Sequence, residues 1–112
     1  MKQQQIALPL APDVALQIDA AAPPIEVRSA FQRVSVEHTA AFGRLYRLDG
    51  DAMAAEADEF MIHESLAHLP ALEHPSLRRA IILGGGDGAS ARELLKHPSI
   101  ERIVVAELDP AV

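Results

Sequence analysis

Apolar and polar positions alternate with a period of two over residues 31–39, "FQRVSVEHT", and again over residues 44–50, "RLYRLDG". That period sends successive side chains to opposite faces of a strand. In the first segment Phe31, Arg33, Ser35 and Glu37 share one face, and Gln32, Val34, Val36 and His38 share the other. Its β-branched content favours the same assignment. In the second segment Leu45 and Arg47 oppose Tyr46 and Leu48. "AAFG" turns the chain between the two. Asp49-Gly50 is a hairpin signal, because both residues tolerate positive φ. "DAMAA" then returns as a short third strand, so residues 25–55 predict a small antiparallel meander.

Beyond residue 55 the period lengthens. "EADEFMIHESLAHLPAL" predicts a helix with Glu56, Asp58 and Glu59 in its first turn, where negative charge suits the helix dipole. Ile62, Leu66 and Leu69 fall at i, i+4 and i+7 and predict one buried stripe. Pro70 is expected to end the helix. "AIIL" is a short apolar run suited to a buried parallel strand. "ASARELLKH" predicts a second helix stopped by Pro98, and "RIVVAELD" a second apolar strand ending at Glu107. Residues 79–109 therefore read as one βαβ unit of about 30 residues. Residues 1–24 are rich in Ala, Pro and Gln, and "AAAPP" is stiff; they read as a tail or linker. The expected organisation is a tail (1–24), a β-hairpin domain (25–55), a helix with its connector (56–78), and the start of an incomplete nucleoside-binding domain (79–112).

Composition narrows the classes. With 112 residues, 49% of them apolar, one small domain with a core is possible, but the chain is short for an enzyme with two substrates. A net charge of -6 argues against a nucleic-acid surface, which needs clustered Lys and Arg. The absence of cysteine excludes disulfides and thiolate metal sites. No apolar run approaches the ~18 residues of a transmembrane helix. Prolines and Asp13 break the N-terminal apolar segment, so it does not read as a signal peptide. The expectation is a cytoplasmic protein that engages neither nucleic acid nor membrane. A two-stranded parallel sheet leaves edges that need cover, so a homo-oligomer is also expected.

The chemistry concentrates in "AIILGGGDGASARELLK". Gly84, Gly86 and Ala89 satisfy G-x-G-x-x-[G/A] between a predicted strand and helix, and Glu107 follows about 20 residues on, at the next strand's tip. Gly84, Gly85 and Gly86 let the backbone turn tightly and let a ligand come close. A carboxylate at Glu107 can accept from both hydroxyls of a ribose. Asp87, inside the loop, discriminates between nucleosides. It would repel a pyrophosphate and attract a sulfonium or an amine. On charge alone two readings stay open: an S-adenosyl ligand, or Asp87 as a helix N-cap. "HESLAH" is not a zinc motif, since its second histidine is five residues on rather than four and leaves the first one's face. His63, beside the apolar stripe, reads by itself as structural. His74 and His97, each before a proline, read as solvated.

The stretches "FQRVSVEHTAAFGRLYRLDG", "EADEFMIHESLAHLPALEHP" and "AIILGGGDGASARELLKHPSIERIVVAELDPAV" together resemble the spermidine synthase (polyamine aminopropyltransferase) family, over residues 31–112. The resemblance implies an α/β fold: a small N-terminal antiparallel β-meander, then the first βαβ unit of a Rossmann-like domain of the S-adenosyl-dependent transferase type, incomplete here. It implies transfer of an aminopropyl group from decarboxylated S-adenosylmethionine to a diamine such as putrescine, giving spermidine and methylthioadenosine. Decarboxylated S-adenosylmethionine is then a co-substrate rather than a resident cofactor, and the partners are an adenosyl small molecule and a polyamine. Carried over by position, Gln32 lines the nucleoside thioether site and His63 the donor site. Asp87 holds the amino end of the aminopropyl donor, and Glu107 holds the ribose.

Two departures bear on the acceptor. Ile62 stands where the family usually has a tyrosine that contacts the diamine, and Met53 where it often has a glutamine. The identity of the acceptor amine is therefore left open. The family also uses an adenine-binding acidic segment and a catalytic aspartate, and neither has a counterpart in these 112 residues. Asp109 is a carboxylate with no motif match to that aspartate. No catalytic residue is assigned, and the chain by itself is expected to be inactive. A non-catalytic nucleoside-binding or interaction module of the same family is the alternative. Another S-adenosyl-dependent transferase is less favoured, given Asp87, the hairpins and the D-E-F-x-x-H-E helix.

Overall fold

The computed structural model describes residues 4–112, which form two compact units dividing after Glu59. In the first unit β1 (Gln5–Ala11), β2 (Val14–Arg28), β3 (Arg33–Thr39), β4 (Gly43–Leu48) and β5 (Asp51–Ala55) make an antiparallel sheet with strands in chain order. The β4–β5 turn has φ of 50° at Asp49 and 97° at Gly50, so both central residues take the left-handed region that matches strand twist. Ile6, Leu8, Ile18, Ala20, Leu45 and Ala55 form the core, with Phe42 packed against them.

The tail assigned to residues 1–24 is thus corrected. From Gln5 onward this segment is the first hairpin of the sheet, and its Ile6, Leu8, Ile18 and Ala20 supply most of the core. Pairing across strands outweighs the Ala- and Pro-rich composition. Pro23 and Pro24 fall between Ala22 and Ile25, where the β2–β3 register shifts, so they interrupt no regular ladder. On β3 the polar face is well covered: Ser35, Glu37 and Thr39 are buried. Glu37 accepts from the half-buried Arg47 guanidinium at 2.9 Å, which also donates to the carbonyls of Gly50 and Ala7. A buried charge persists there because it is paired and hydrogen-bonded.

The second unit holds α1 (Glu59–Glu73), β6 (Arg79–Leu83), α2 (Ala89–Leu94) and β7 (Arg102–Ala106), with β6 and β7 parallel. α1 starts three residues later than its charge pattern suggests. Glu56 is taken instead by Arg44, whose guanidinium and backbone N–H both donate to it. Nor does Pro70 stop the helix, which runs to Glu73, with the His74 N–H donating to the Pro70 carbonyl. The expected buried stripe is corrected as well. Ile62, Leu66 and Leu69 are exposed, and Ala67 and Ala71 are the buried positions. Apolar residues surround this helix on most sides, so size did not reveal the packed face. The alanines allow close approach to Leu94 of α2 and to Leu77, Ala80, Ile82 and Ile103. This packing holds the helix past the proline. One face of the β6–β7 pair is covered in this way. Ile81, Leu83 and Val104 on the other side are exposed in this chain.

His97 is also corrected. It is half-buried, with its Nε2 2.8 Å from His68 Nδ1 on α1. His68 Nε2 is 3.0 Å from Glu93 Oε2, and Glu93 further accepts from Arg92 and Lys96. Glu93 is only 1% exposed. The Lys96 ammonium first, opposed by burial and helped by His68 and Arg92, holds its carboxyl down at about 2 against an ordinary 4.5. A lowered folded-state value means that this stability is complete above 4.5 and is lost as pH falls toward about 2. Denaturant midpoints should drop across that window, and Glu93→Gln should flatten the drop. An unchanged acid profile in the variant would remove Glu93 from this role.

Candidate functional site

β6 runs into a loop built almost wholly of glycine because the chain must take left-handed backbone three times: φ is 80° at Gly84, 70° at Gly85 and 84° at Gly88. Gly84 N–H donates to the Ala106 carbonyl and Gly88 N–H to that of Gly85, which folds the loop over the tips of both strands. Gly86 is glycine for a different reason. A Cβ there would stand 2.6 Å from Glu107 Cγ.

Glu107, just past the end of β7, is drawn back onto this loop. Its Oε2 accepts from the Gly86 N–H and its Oε1 from the Asp109 N–H, both at 3.0 Å. Those amides, Asp109's first, keep its carboxyl below the ordinary glutamate range against the opposing effect of burial. The group is therefore ionised at neutral pH and fixed in orientation, with lone pairs remaining for further donors. Asp109 is itself only 1% exposed.

Beside the loop, a cleft of about 550 Å³ opens between α1 and β6. His63, Ala67 and Ala71 line it at helical spacing from one side, Ile82 and Leu83 from the other, and Gly85 and Asp87 at its loop end. Residues from both faces of β6 reach it, so it follows the edge of that strand away from β7. Of the two roles open to Asp87 from sequence, the structure bears on the capping one. Its Oδ1 accepts from the Ala89 N–H at 2.9 Å, which ties down the start of α2, while Gly88 occupies the N-cap position. The carboxylate nonetheless remains exposed at the cleft.

Of the residues singled out from sequence, the fold brings His63, Gly85 and Asp87 to one cleft, and Gly86 and Glu107 into direct contact. Gln32 belongs to the first unit, where its backbone N–H and carbonyl both bond Ser29 at the β2–β3 turn. His63 and His68 diverge as their spacing requires, one to the cleft and the other to Glu93. Ala67 and Ala71, on the same face of α1 as His63, were missed. Their signal was the 63, 67, 71 spacing, hidden by larger apolar neighbours.

Residues 59–112 match the family model for the spermine/spermidine synthase domain. The polyamine aminopropyltransferase of Nitrosomonas europaea is 44% identical over 101 residues, 90% of this chain and 31% of that protein. The chain belongs to the spermidine synthase family. Polyamine aminopropyltransferase 1 of Pseudomonas aeruginosa is 47% identical over 87 residues, 78% of this chain and 30% of that protein. A solved spermidine synthase in complex with the transition-state analogue AdoDATO superimposes with a TM-score of 0.94 at 34% identity, over 99% of this chain and 38% of that one. The spermidine synthase of Thermotoga maritima does so with a TM-score of 0.85 at 38% identity, over 88% and 35%. The chain thus spans about a third of the length of the family members it matches. No helix among the described residues is long and apolar enough to cross a membrane.

Proposed function

We propose that this chain forms the donor-binding part of a polyamine aminopropyltransferase, holding the adenosyl and aminopropyl ends of decarboxylated S-adenosylmethionine. The observation that carries the reading is a glycine loop with two carboxylates in distinct settings. Glu107 is locked by backbone amides, while Asp87 lies open at a cleft. An ionised, oriented carboxylate suits the paired hydroxyls of a ribose. An exposed one in a glycine loop suits a cation rather than a phosphate. His63 lines the same cleft, and Gln32 takes the thioether-lining role that its family position implies. The Rossmann-like character of the β6–α2–β7 unit, a cytoplasmic setting and homo-oligomeric assembly belong to this reading.

In the reaction proposed for the whole enzyme, an uncharged primary amine attacks the methylene carbon attached to the sulfonium. A C–N bond forms and the C–S bond breaks. The electron pair stays on sulfur, and methylthioadenosine leaves. This chain contributes orientation of the donor. Deprotonation of the amine requires a base, and no residue here matches the family's catalytic aspartate. Ile62, where the family usually has tyrosine, is 56% exposed and gives the acceptor an apolar rather than a hydrogen-bonding neighbour.

Calorimetry with methylthioadenosine tests the reading. Wild-type chain should bind, and Glu107→Gln should bind about tenfold or more weakly, the scale of a lost hydrogen bond to a charged group. Equal affinities would reject the ribose role. Incubated with decarboxylated S-adenosylmethionine and putrescine, this chain should not turn over. Steady release of methylthioadenosine would show that it carries its own base.

A further inference from the structure

The His68–His97–Glu93 cluster lies outside the donor site, yet it joins the two helices that border the cleft. α1 contributes His63, Ala67 and Ala71 to the cleft, and α2 contributes Ser90 and Leu94. The polar contacts among these residues are few and directional. His68 Nε2 faces Glu93 Oε2 at 3.0 Å, and His68 Nδ1 faces His97 Nε2 at 2.8 Å. The two rings lie 5.0 Å apart, tilted by 49°.

The proton inventory follows from donor and acceptor rules. Glu93 is ionised and can only accept, so His68 Nε2 must carry a hydrogen. Between the two histidines one nitrogen must then donate and the other accept. With both rings neutral, His97 Nε2–H donates to the bare Nδ1 of His68. With one added proton, His68 is an imidazolium that donates at both nitrogens, and His97 accepts through Nε2. A second added proton places N–H against N–H at 2.8 Å, and the contact cannot survive.

We propose that the His68–His97 pair is a proton-operated latch between α1 and α2, closed while the pair holds at most one added proton and open when it holds two. The charged groups around it set its sense. From α2 and its closing turn come Arg92, Glu93 and Lys96. On α1, Glu64 stands one turn before His68. Glu93 accepts from His68 Nε2 and so fixes which edge of that ring meets His97. Lys96 and Arg92 share that carboxylate, so they oppose a second proton nearby. β6 and β7 bring Ala80, Ile82 and Ile103 to the helix contact, none of which titrates. Around the latch, α1 and α2 meet through the side chains of Ala67, Ala71 and Leu94, which hold little apolar area. Opening the polar link removes the directional contact between the two helices and loosens the one that carries His63 on its apolar packing. The proposal does not depend on which ligand the cleft takes.

NMR titration of the histidine ring carbons in the full 112-residue chain, paired with amide hydrogen exchange at Ala67 and Ala71, tests it. In wild type, the ring signals of His68 and His97 should respond to pH as a coupled pair, in two steps, rather than independently. After correction for intrinsic exchange, protection at Ala67 and Ala71 should fall about tenfold or more across the lower step. His97→Gln offers an amide that can donate or accept, so it should give His68 a single step and keep α1 protected. Independent single-site titrations in wild type would overturn the latch. So would protection that does not change across the lower step, or the same loss in His97→Gln. Should that variant fail to fold, the two wild-type measurements decide the matter.

Discussion

Gly86→Ala should weaken methylthioadenosine binding by about 10- to 100-fold, the range expected when hydrogen bonds to a charged group are lost. Gly86 is not among the glycines at positive φ, so an alanine is compatible with its backbone. The damage comes from volume. The new Cβ would stand 2.6 Å from Glu107 Cγ and 3.1 Å from its Oε2, closer than a neighbour can tolerate without moving. Glu107 must swing away, giving up the Gly86 N–H and with it the orientation that presents the carboxylate to a ribose. Gly88→Ala is the matched control. Its φ of 84° makes alanine strained, at about 1–2 kcal/mol, but nothing lies within 4 Å of the added carbon. It should lower the unfolding midpoint and leave the affinity of the folded protein within about threefold, well under 1 kcal/mol. Calorimetry on both variants separates the two glycine roles. Equal affinity losses would mean that loop strain, not Glu107, governs binding.

Ile6→Ala should destabilise the first unit by about 2–4 kcal/mol, the cost of emptying a large aliphatic site in a packed core. Ile6 is 4% exposed and sits with Leu8, Ile18 and Leu45. Against a total stability of about 5–15 kcal/mol for a small domain, that is a substantial share. Urea unfolding followed by the environment of Tyr46 on β4 measures it. An N-terminal tail would give no change in midpoint, so a neutral Ile6→Ala would remove the first hairpin from the cooperative sheet. Leu10→Ala, at a site 67% exposed, should stay near neutral.

The sequence by itself determined the features that depend on local spacing. The alternation over residues 31–48 and the Asp49-Gly50 pair carry β3, β4 and their turns, because side-chain direction in a strand repeats every two residues whatever surrounds it. Aliphatic runs flanking a glycine loop carry β6 and β7, the amphipathic run behind the loop carries α2, and the loop's negative charge was readable because Asp87 brings it wherever the loop sits. Only the tertiary structure decided the rest. An Ala- and Pro-rich segment became β1 and β2 because Ile6 and Ile18 find Leu45 and Ala55, partners 27 to 49 residues away. α1 buried its alanines and exposed its larger apolar residues because close helix approach, not residue size, chose the face. His68, His97 and Glu93 became one cluster across separations of 25 and 29 residues, which no periodicity encodes. Local periodicity is a property of the backbone. Which faces meet is settled by the free energy of burying surface against distant residues, and that exists only once the chain has folded.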